Sequence, residues 1–338
     1  MRKTIRWLGI LLAVQLLMAG GFNLSTLWPL TQPGATPLVA VSQDHINRLV
    51  LEGPDHSKVT LVREGTNWTL PDLEQFPADS NRVNSVLEKI TSSKTSTPIA
   101  VTAGAKARFK VDDEAFERRI TLAENDKPLA TLYLGSSPGL RRSYVRVGGN
   151  DAIFALELAT YEVPVQLIDW EDKTILHLEK NDITALEVAG LRIEQTAQPA
   201  SSPSSMQEDN QPHRAVTPPT WEMKGLEAGR HLELKSAAVD KLARVLADLN
   251  FEKVLGRDLS PEYGLEKPLL TIMLSQKTGD TLTYLLGKNP KNDDYTLKVS
   301  NRPEYFRLPS YRATALLEAA DRKQLLNTAS GTPTPAKS

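Results

Sequence analysis

The sequence predicts an α+β protein of two tandem related units, each an antiparallel sheet with one or two packed helices, behind an amino-terminal membrane segment. Three observations carry this. Short runs of alternating apolar and polar residues recur between turns rich in Asn, Asp and Gly. A helical stripe of apolar residues precedes each series of such runs. Tyr133-Leu134-Gly135-Ser136-Ser137-Pro138 returns as Leu285-Leu286-Gly287-Lys288-Asn289-Pro290. The offset is 152 residues (287 less 135), and it also carries Ile120 and Leu122 onto Ile272 and Leu274. Val145 and Val147 fall on Leu297 and Val299, and Ile153-Phe154 on Tyr305-Phe306. An offset held over such a stretch argues for internal duplication, and two copies are too few for a solenoid.

Composition narrows the function classes. The 338 residues suffice for two domains with cores. Forty basic and 41 acidic residues nearly cancel, so no overall field would draw in nucleic acid. With no cysteine in the chain, disulfides, thiolate catalysis and cysteine-ligated metals are excluded.

At the amino terminus, Arg2, Lys3 and Arg6 precede a stretch at 7–28 that contains no charged residue. At about 1.5 Å per residue it is long enough to cross a hydrocarbon core. The positive flank stays in the cytoplasm by the positive-inside rule, which places the body outside. A cleaved signal peptide is the alternative, with 8–18 as its apolar region and Ala19-Gly20-Gly21 as its small residues. No good cleavage site appears, and Phe22, Leu24, Leu27 and Trp28 prolong the apolar run. An uncleaved single-pass anchor at 1–29 and a tether at 30–43 are therefore expected. Both readings export the body.

The first unit is expected at 44–179. Strands are predicted at 45–52, 59–63 and 68–70, with a hairpin turn at Glu64-Gly65-Thr66-Asn67 and Trp68 as a core side chain. Asp79 or Ser80 can cap a helix beginning near Asn81, whose stripe is Val83, Val86, Leu87 and Ile90. The region holding Phe109 and Phe116 is less regular. Strands follow at 119–122, 130–134, 144–147 and 153–156, joined at Asn125-Asp126, the glycine–proline turn and Gly148-Gly149-Asn150-Asp151. A helical segment carrying Tyr161, Val165, Leu167 and Ile168 leads to Asp169-Trp170-Glu171-Asp172-Lys173.

The second unit is expected at 180–327, opening with a strand at 182–188. Between that strand and Trp221 lies a stretch of serine, proline, glutamine and alanine, 195–219, read as a disordered insertion because it buries too little apolar area to offset ordering entropy. Ser236 can cap a helix with stripe Val239, Leu242, Leu246 and Leu249. Strands at 270–274, 282–286, 295–299 and 305–308 precede a helix at 310–326 and a disordered tail at 328–338.

Few residues point to chemistry. The histidines His45, His56, His177, His213 and His231 show none of the spacings of a ready metal pair. Asp112-Asp113-Glu114 and Asp293-Asp294 lack the pattern of a calcium loop and read as surface turns. Gly135 and Gly287 sit between strands, not in the strand–helix setting of a phosphate loop. They permit a backbone turn whose exits Pro138 and Pro290 stiffen. No catalytic residue, metal site or cofactor is expected. Arg141, Arg142 and Arg146 beside Tyr144 form a local basic cluster, and the equivalent hairpin of the second copy carries Asp293 and Asp294. These are the expected interaction surfaces, the basic one for lipid headgroups, an anionic glycan or an acidic partner, or the two hairpins for each other within one chain or between chains.

The anchor, the tryptophan before a capped helix, the Tyr263-Gly264-Leu265 to Pro268 entry, the Leu-Gly strand ends and Asp169-Trp170-Glu171-Asp172-Lys173 together resemble DUF4340, a bacterial family described as a domain of unknown function. The resemblance spans about 44–326 as two copies. Copy one departs from it with Phe109-Lys110-Val111, and copy two with Asp321-Arg322-Lys323-Gln324. Relatives encoded beside transporter components resembling those of gliding-motility systems imply an accessory of an ABC-type or envelope assembly, with no catalytic residues to carry over. The expectation is a non-enzymatic, extracytoplasmic scaffold in the cytoplasmic membrane, partnered by membrane or envelope proteins and not by nucleic acid. A glycan or small-ligand binding module, lined by Tyr144, Tyr161 or Tyr295, is the alternative, and an envelope hydrolase a third class.

Overall fold

Alternating apolar and polar side chains give a strand one dry face and one wet one, and the predicted runs form such strands. The computed structural model describes residues 36–95, 97–196, 220–225 and 232–328. The expected anchor, residues 30–35 of the tether, nearly all of the 195–219 insertion and nearly all of the tail lie outside them. Among the described residues no helix is long and apolar enough to cross a membrane.

The first ten strands are β1 (Thr36–Pro37), β2 (Arg48–Glu52), β3 (Lys58–Glu64), β4 (Asn67–Leu70), β5 (Phe76–Pro77), β6 (Lys94–Thr95), β7 (Arg118–Glu124), β8 (Lys127–Leu134), β9 (Ser143–Val147) and β10 (Ile153–Leu156). Helices α1 (Ser80–Thr91) and α2 (Ala103–Phe109) fall between β5 and β7. The second series is β11 (Ile183–Val188), β12 (Leu191–Gln195), β13 (Trp221–Lys224), β14 (Leu232–Leu234), β15 (Lys253–Gly256), β16 (Leu270–Gln276), β17 (Thr281–Lys288), β18 (Tyr295–Val299), β19 (Tyr305–Leu308) and β20 (Leu326–Thr328). Helix α3 (Ser236–Ala247) precedes β15, and α4 (Ser310–Ala319) and α5 (Arg322–Leu325) follow β19.

Two eight-stranded sheets result, in the orders β10-β9-β8-β7-β2-β3-β4-β5 and β13-β12-β11-β16-β17-β18-β19-β15. Short pairs β1–β6 and β14–β20 stand apart. Register brings apolar residues into rows across the strands. Leu51 lies opposite Ile120, and Ile120 opposite Leu132. Likewise Leu186 lies opposite Leu274, and Leu274 opposite Leu282. All six are buried, and such cross-strand pairs are the unit of sheet stabilisation.

By packing, the chain divides into two compact units, one from residues up to Lys58 with Asn84–Val165, the other from Val59–Val83 with everything from Gln166 onward. The second unit is held in part by aromatic rings: Phe76 meets Phe251 edge-on at 6.0 Å and Phe306 at 6.4 Å, and Phe251 and Phe306 lie 4.9 Å apart. In the same unit Trp170 is fully buried beneath the Arg82 guanidinium, 4.9 Å from its ring centroid.

The helix ends depart from expectation in instructive ways. Asp79 caps α1, its Oδ1 accepting the Arg82 amide at 3.0 Å, whereas Ser80 Oγ accepts the Trp68 amide at 3.0 Å. The predicted stripe Val83, Val86, Leu87 and Ile90 is buried. Helix α2 forms where irregular chain was expected, since one seven-residue helix is too short to show a period. The segment around Tyr161 makes two 3-10 turns, Thr160–Glu162 and Leu167–Asp169, in place of a helix. Ser236 begins α3 as a helical residue with no side-chain cap bond at Lys235. The last helix breaks at Asp321, whose carboxylate caps α5 through the Lys323 amide at 3.0 Å, and residues from Leu326 pair as β20.

Gly135 and Gly287 are buried at strand ends where another backbone segment comes very close. A methyl group on Gly135 would overlap the Phe109 carbonyl oxygen and lie 2.6 Å from that of Lys110. One on Gly287 would overlap the Tyr263 carbonyl oxygen and lie 2.9 Å from the Gly264 carbonyl carbon. Each overlapping segment ends a short helical turn with a residue in the left-handed region, Lys110 at φ 58° and Gly264 at φ 66°. Backbone cannot yield as a flexible side chain can. Gly135→Ala or Gly287→Ala is therefore expected to destabilise its sheet by at least ~2 kcal/mol, as overpacked sites do. Gly104→Ala, in α2 with open space around it, should be neutral or slightly stabilising. Thermal unfolding of the three variants separates these outcomes.

Glu171 is the buried carboxylate of the second unit, 5% exposed. It accepts from Lys173 Nζ at 2.6 Å and, at 3.3 Å, from the Val254 amide on β15. Burial pushes its carboxyl above the ordinary range, while Lys173 and the Val254 amide pull the other way. An acid with a raised folded pKa holds more protons native than unfolded, so its ionisation opposes folding as pH climbs above about 4.3. Wild type should thus lose stability relative to Glu171→Gln as pH rises from there, levelling off above the folded pKa. Urea midpoints across pH check this, and a pH-independent difference would contradict it.

Candidate functional site

The loop between β8 and β9 is built on the Gly135 approach. Ser136 donates its amide to the Phe109 carbonyl at 2.9 Å, while Gly135 N and Tyr144 N bond Tyr144 O at 2.9 Å and Ser136 O at 3.0 Å. Those bonds fix both strand ends, leaving 137–142 to close the turn. Ser137 Oγ organises it, lying 2.5 Å from Gly139 O and 2.8 Å from Arg142 O and accepting the Gly139 amide at 3.2 Å. Arg141 is held at φ 56°, a left-handed backbone that is unfavourable for a residue with a Cβ.

This loop forms one wall of a cavity of about 670 Å³. Glu117 and the turn at Ala159–Tyr161 contribute to the rest of its lining. Arg141 and Arg142 are exposed on it, and their side chains make no hydrogen bond or ion pair among the described residues, although the Arg141 charge acts on the Glu162 carboxylate, which Lys89 already pairs. Glu117 is already occupied by Lys110 Nζ at 2.6 Å. Leu140 is 91% exposed and Tyr161 63% exposed beside them. The result is a concave surface with two unengaged guanidinium groups and two apolar side chains held toward water. Such a surface suits an anion attached to something apolar.

Arg146 does not share this surface. It is 2% exposed, with Nε donating to Val111 O at 2.6 Å, Nη1 to Asn150 O at 3.3 Å and Nη2 to Asp113 Oδ1 at 2.9 Å. Its guanidinium also lies 4.4 Å from the Tyr133 ring centroid. Hydrogen bonding from Arg146 holds the Asp113 carboxyl below its usual range, and burial raises the Tyr133 phenol. Tyr144 is half-buried, its ring stacked 4.2 Å from that of Phe109. The sequence pattern placed Arg146 in the basic cluster because alternation alone does not tell which way a charged residue turns when the inner face offers it carbonyls.

The turn after Gly287 is satisfied internally. Asp293 pairs with Lys288 Nζ at 2.8 Å, and Asp294 with Arg307. The Arg307 bond also keeps the Asp294 carboxyl below its ordinary range. Lys291 pairs with Glu262 at 2.8 Å. Pro138 and Pro290 are exposed on their turns. Among the described residues no group of three metal-ligating side chains is present. His45 lies 3.4 Å from Glu124, and His177 stands 3.9 Å from Glu179 and 3.8 Å from Asp248. His213 and His231 fall outside the described residues. Two buried carboxylates escaped sequence reasoning: Glu171, and Glu304 between Arg257 and Arg302, each at 3.3 Å. Single acids outside the regular strands, as both of these are, carry no signal of burial.

Removing the Arg146 guanidinium leaves Val111 O, Asn150 O and Asp113 without their donor. Arg146→Ala should therefore destabilise the protein by about 3 kcal/mol, the range for breaking a buried charged network. Arg142→Gln, whose side chain has no partner to lose, should leave the urea midpoint unchanged. Equal midpoints for the two variants would contradict this assignment.

A family model described as a domain of unknown function (DUF4340) matches residues 68–268. The match covers more than half of the chain and includes Trp68, the Asp169–Lys173 run and the Tyr263-to-Pro268 entry, within the wider 44–326 span expected from the sequence. No curated protein and no solved structure matches the chain. The chain belongs to the DUF4340 family.

Proposed function

We propose that this chain is a non-enzymatic interaction protein made of two copies of one module, held outside the cytoplasmic membrane by residues 7–28 and serving as a scaffold in an envelope or ABC-type transport assembly. The observation that carries the duplication is the pair of strand orders. Read inward from β4 and from β13, seven strands follow the same sequence in both sheets: β4-β3-β2-β7-β8-β9-β10 and β13-β12-β11-β16-β17-β18-β19. Where β15 pairs with β19, the first sheet has a single bridge from Ala100 to Ile153. The glycine approaches at Gly135 and Gly287 fall at the same place in this scheme.

A role in binding is supported by how differently the two equivalent turns treat their charges. The second turn pairs Asp293 and Asp294 within itself or its own sheet, as a purely structural turn would. The first leaves Arg141 and Arg142 unengaged beside Leu140 and Tyr161. Of the three tyrosines, a glycan-binding module draws support from Tyr161, since Tyr144 is engaged with Phe109 and Tyr295 lies beneath the Lys288 ammonium.

Crosslinking in intact membranes, with the amino-terminal segment present, tests the scaffold reading. A discrete set of envelope or transporter proteins should crosslink to the chain and be lost when residues 1–35 are replaced by a cleavable signal. A chain that stays partner-free in membranes that preserve other complexes would overturn it.

A further inference from the structure

Resting on that reading, we infer that the cavity bounded by the 137–142 loop and the Ala159–Tyr161 turn is a docking site for a short acidic, partly apolar peptide segment of a partner protein. Four observations converge on it. Arg141 and Arg142 line the cavity without an ion pair, although most other arginines described in this unit have a partner of their own: Arg48 with Asp126, Arg118 with Val163 O, Arg119 with Glu52, and Arg146 with Asp113. A guanidinium with no direct ion pair keeps its planar fork available for a carboxylate.

The loop is also fixed before anything binds. Ser137 ties it to Gly139 and Arg142, and its ends are locked by the bonds among Gly135, Ser136 and Tyr144. Preorganisation lowers the entropy lost on binding. The left-handed backbone at Arg141 is a local strain that this hydrogen-bonded frame maintains, at a point where glycine would serve the fold better. In addition, the Thr160 and Tyr161 hydroxyls have no partner among the described residues and line the same wall. They supply neutral donors beside the charged ones. Finally, Leu140 and Tyr161 offer apolar contact that would become buried only beneath a ligand.

The charge count selects the occupant. Two arginines fall short of the cluster of about four to eight basic residues that recruits an anionic bilayer. The chain as a whole carries a net charge of −1, so the rest of it adds no attraction to such a surface. Two adjacent guanidinium groups in a concave wall, preceded by the exposed Leu140, suit carboxylates on an extended segment that also carries apolar side chains.

Selection of a phage-displayed random heptapeptide library on the purified chain tests this. Recovered peptides should be enriched in Asp and Glu next to apolar residues. Their binding should fall at least about tenfold in Arg141→Gly/Arg142→Gln, a change that keeps the loop backbone, and should weaken with salt. Circular dichroism of that double variant should match wild type and its unfolding midpoint should equal or exceed wild type's, so that lost binding is not lost folding. Neutral or basic recovered peptides, or undiminished binding by the double variant, would overturn the site. So would arginine-dependent binding to phosphatidylglycerol vesicles without peptide enrichment, which assigns the surface to lipid. If membrane crosslinks persist unchanged in the double variant, the scaffold reading stands and this site fails. If crosslinks are absent in wild type, the scaffold reading itself fails.

Discussion

Backbone pressed against glycine is the constraint on which the rest of the structure depends. At Gly135 and again at Gly287, the end of a short helical turn capped by a left-handed residue lies so near a strand that no side chain fits between. The approach brings the Phe109 and Tyr263 segments onto the strands that start each meander turn, and it sets where the following loop leaves the sheet. Everything proposed about binding follows from that placement, because the loop that carries Arg141 and Arg142 leaves the first sheet at this point. Hydrogen bonds then finish what sterics begin: Ser136 to Phe109 O on one side, Gly135 and Tyr144 on the other.

The two versions of this device differ in a way that shows what is required and what is not. Gly264 takes the left-handed conformation without penalty, whereas Lys110 takes it with a Cβ, an arrangement unfavourable by about 1–2 kcal/mol. Lys110 keeps some compensation through Glu117, at 2.6 Å on a partly exposed surface. The glycine on the strand is common to both turns and the residue at the helix end is not. Close approach therefore demands glycine more strictly than a positive φ does.

Much of the fold was legible in the sequence because strands and helices announce themselves by period. The stripes Val83–Val86–Leu87–Ile90 and Val239–Leu242–Leu246 are buried as their spacing predicts, and the turns at Gly65, Asn125, Gly149 and Gly279 carry positive φ. Short elements were not legible. Helix α2 is too brief to display a period, β5 and β15 are too brief to alternate, and a helix that reads continuously through 310–326 is cut by one aspartate cap. The candidate site divides the same way. Arg141 and Arg142 could be found because a turn exposes what it carries. Arg146 could not be sorted from them, since its position in the alternation faces carbonyls that satisfy a buried guanidinium. Glu171 and Glu304 were invisible for the same reason, as their partners come from distant segments.

Native-state hydrogen exchange on a Gly287→Ala variant tests the central claim most directly. If the backbone approach keys the meander, amide protection should fall together across β16, β17, β18 and β19, because displacing Tyr263 and Gly264 unseats the whole register. If protection is lost only at the turn between β17 and β18 while the outer strands keep wild-type exchange, the approach is a local fit and not the constraint that orders the sheet.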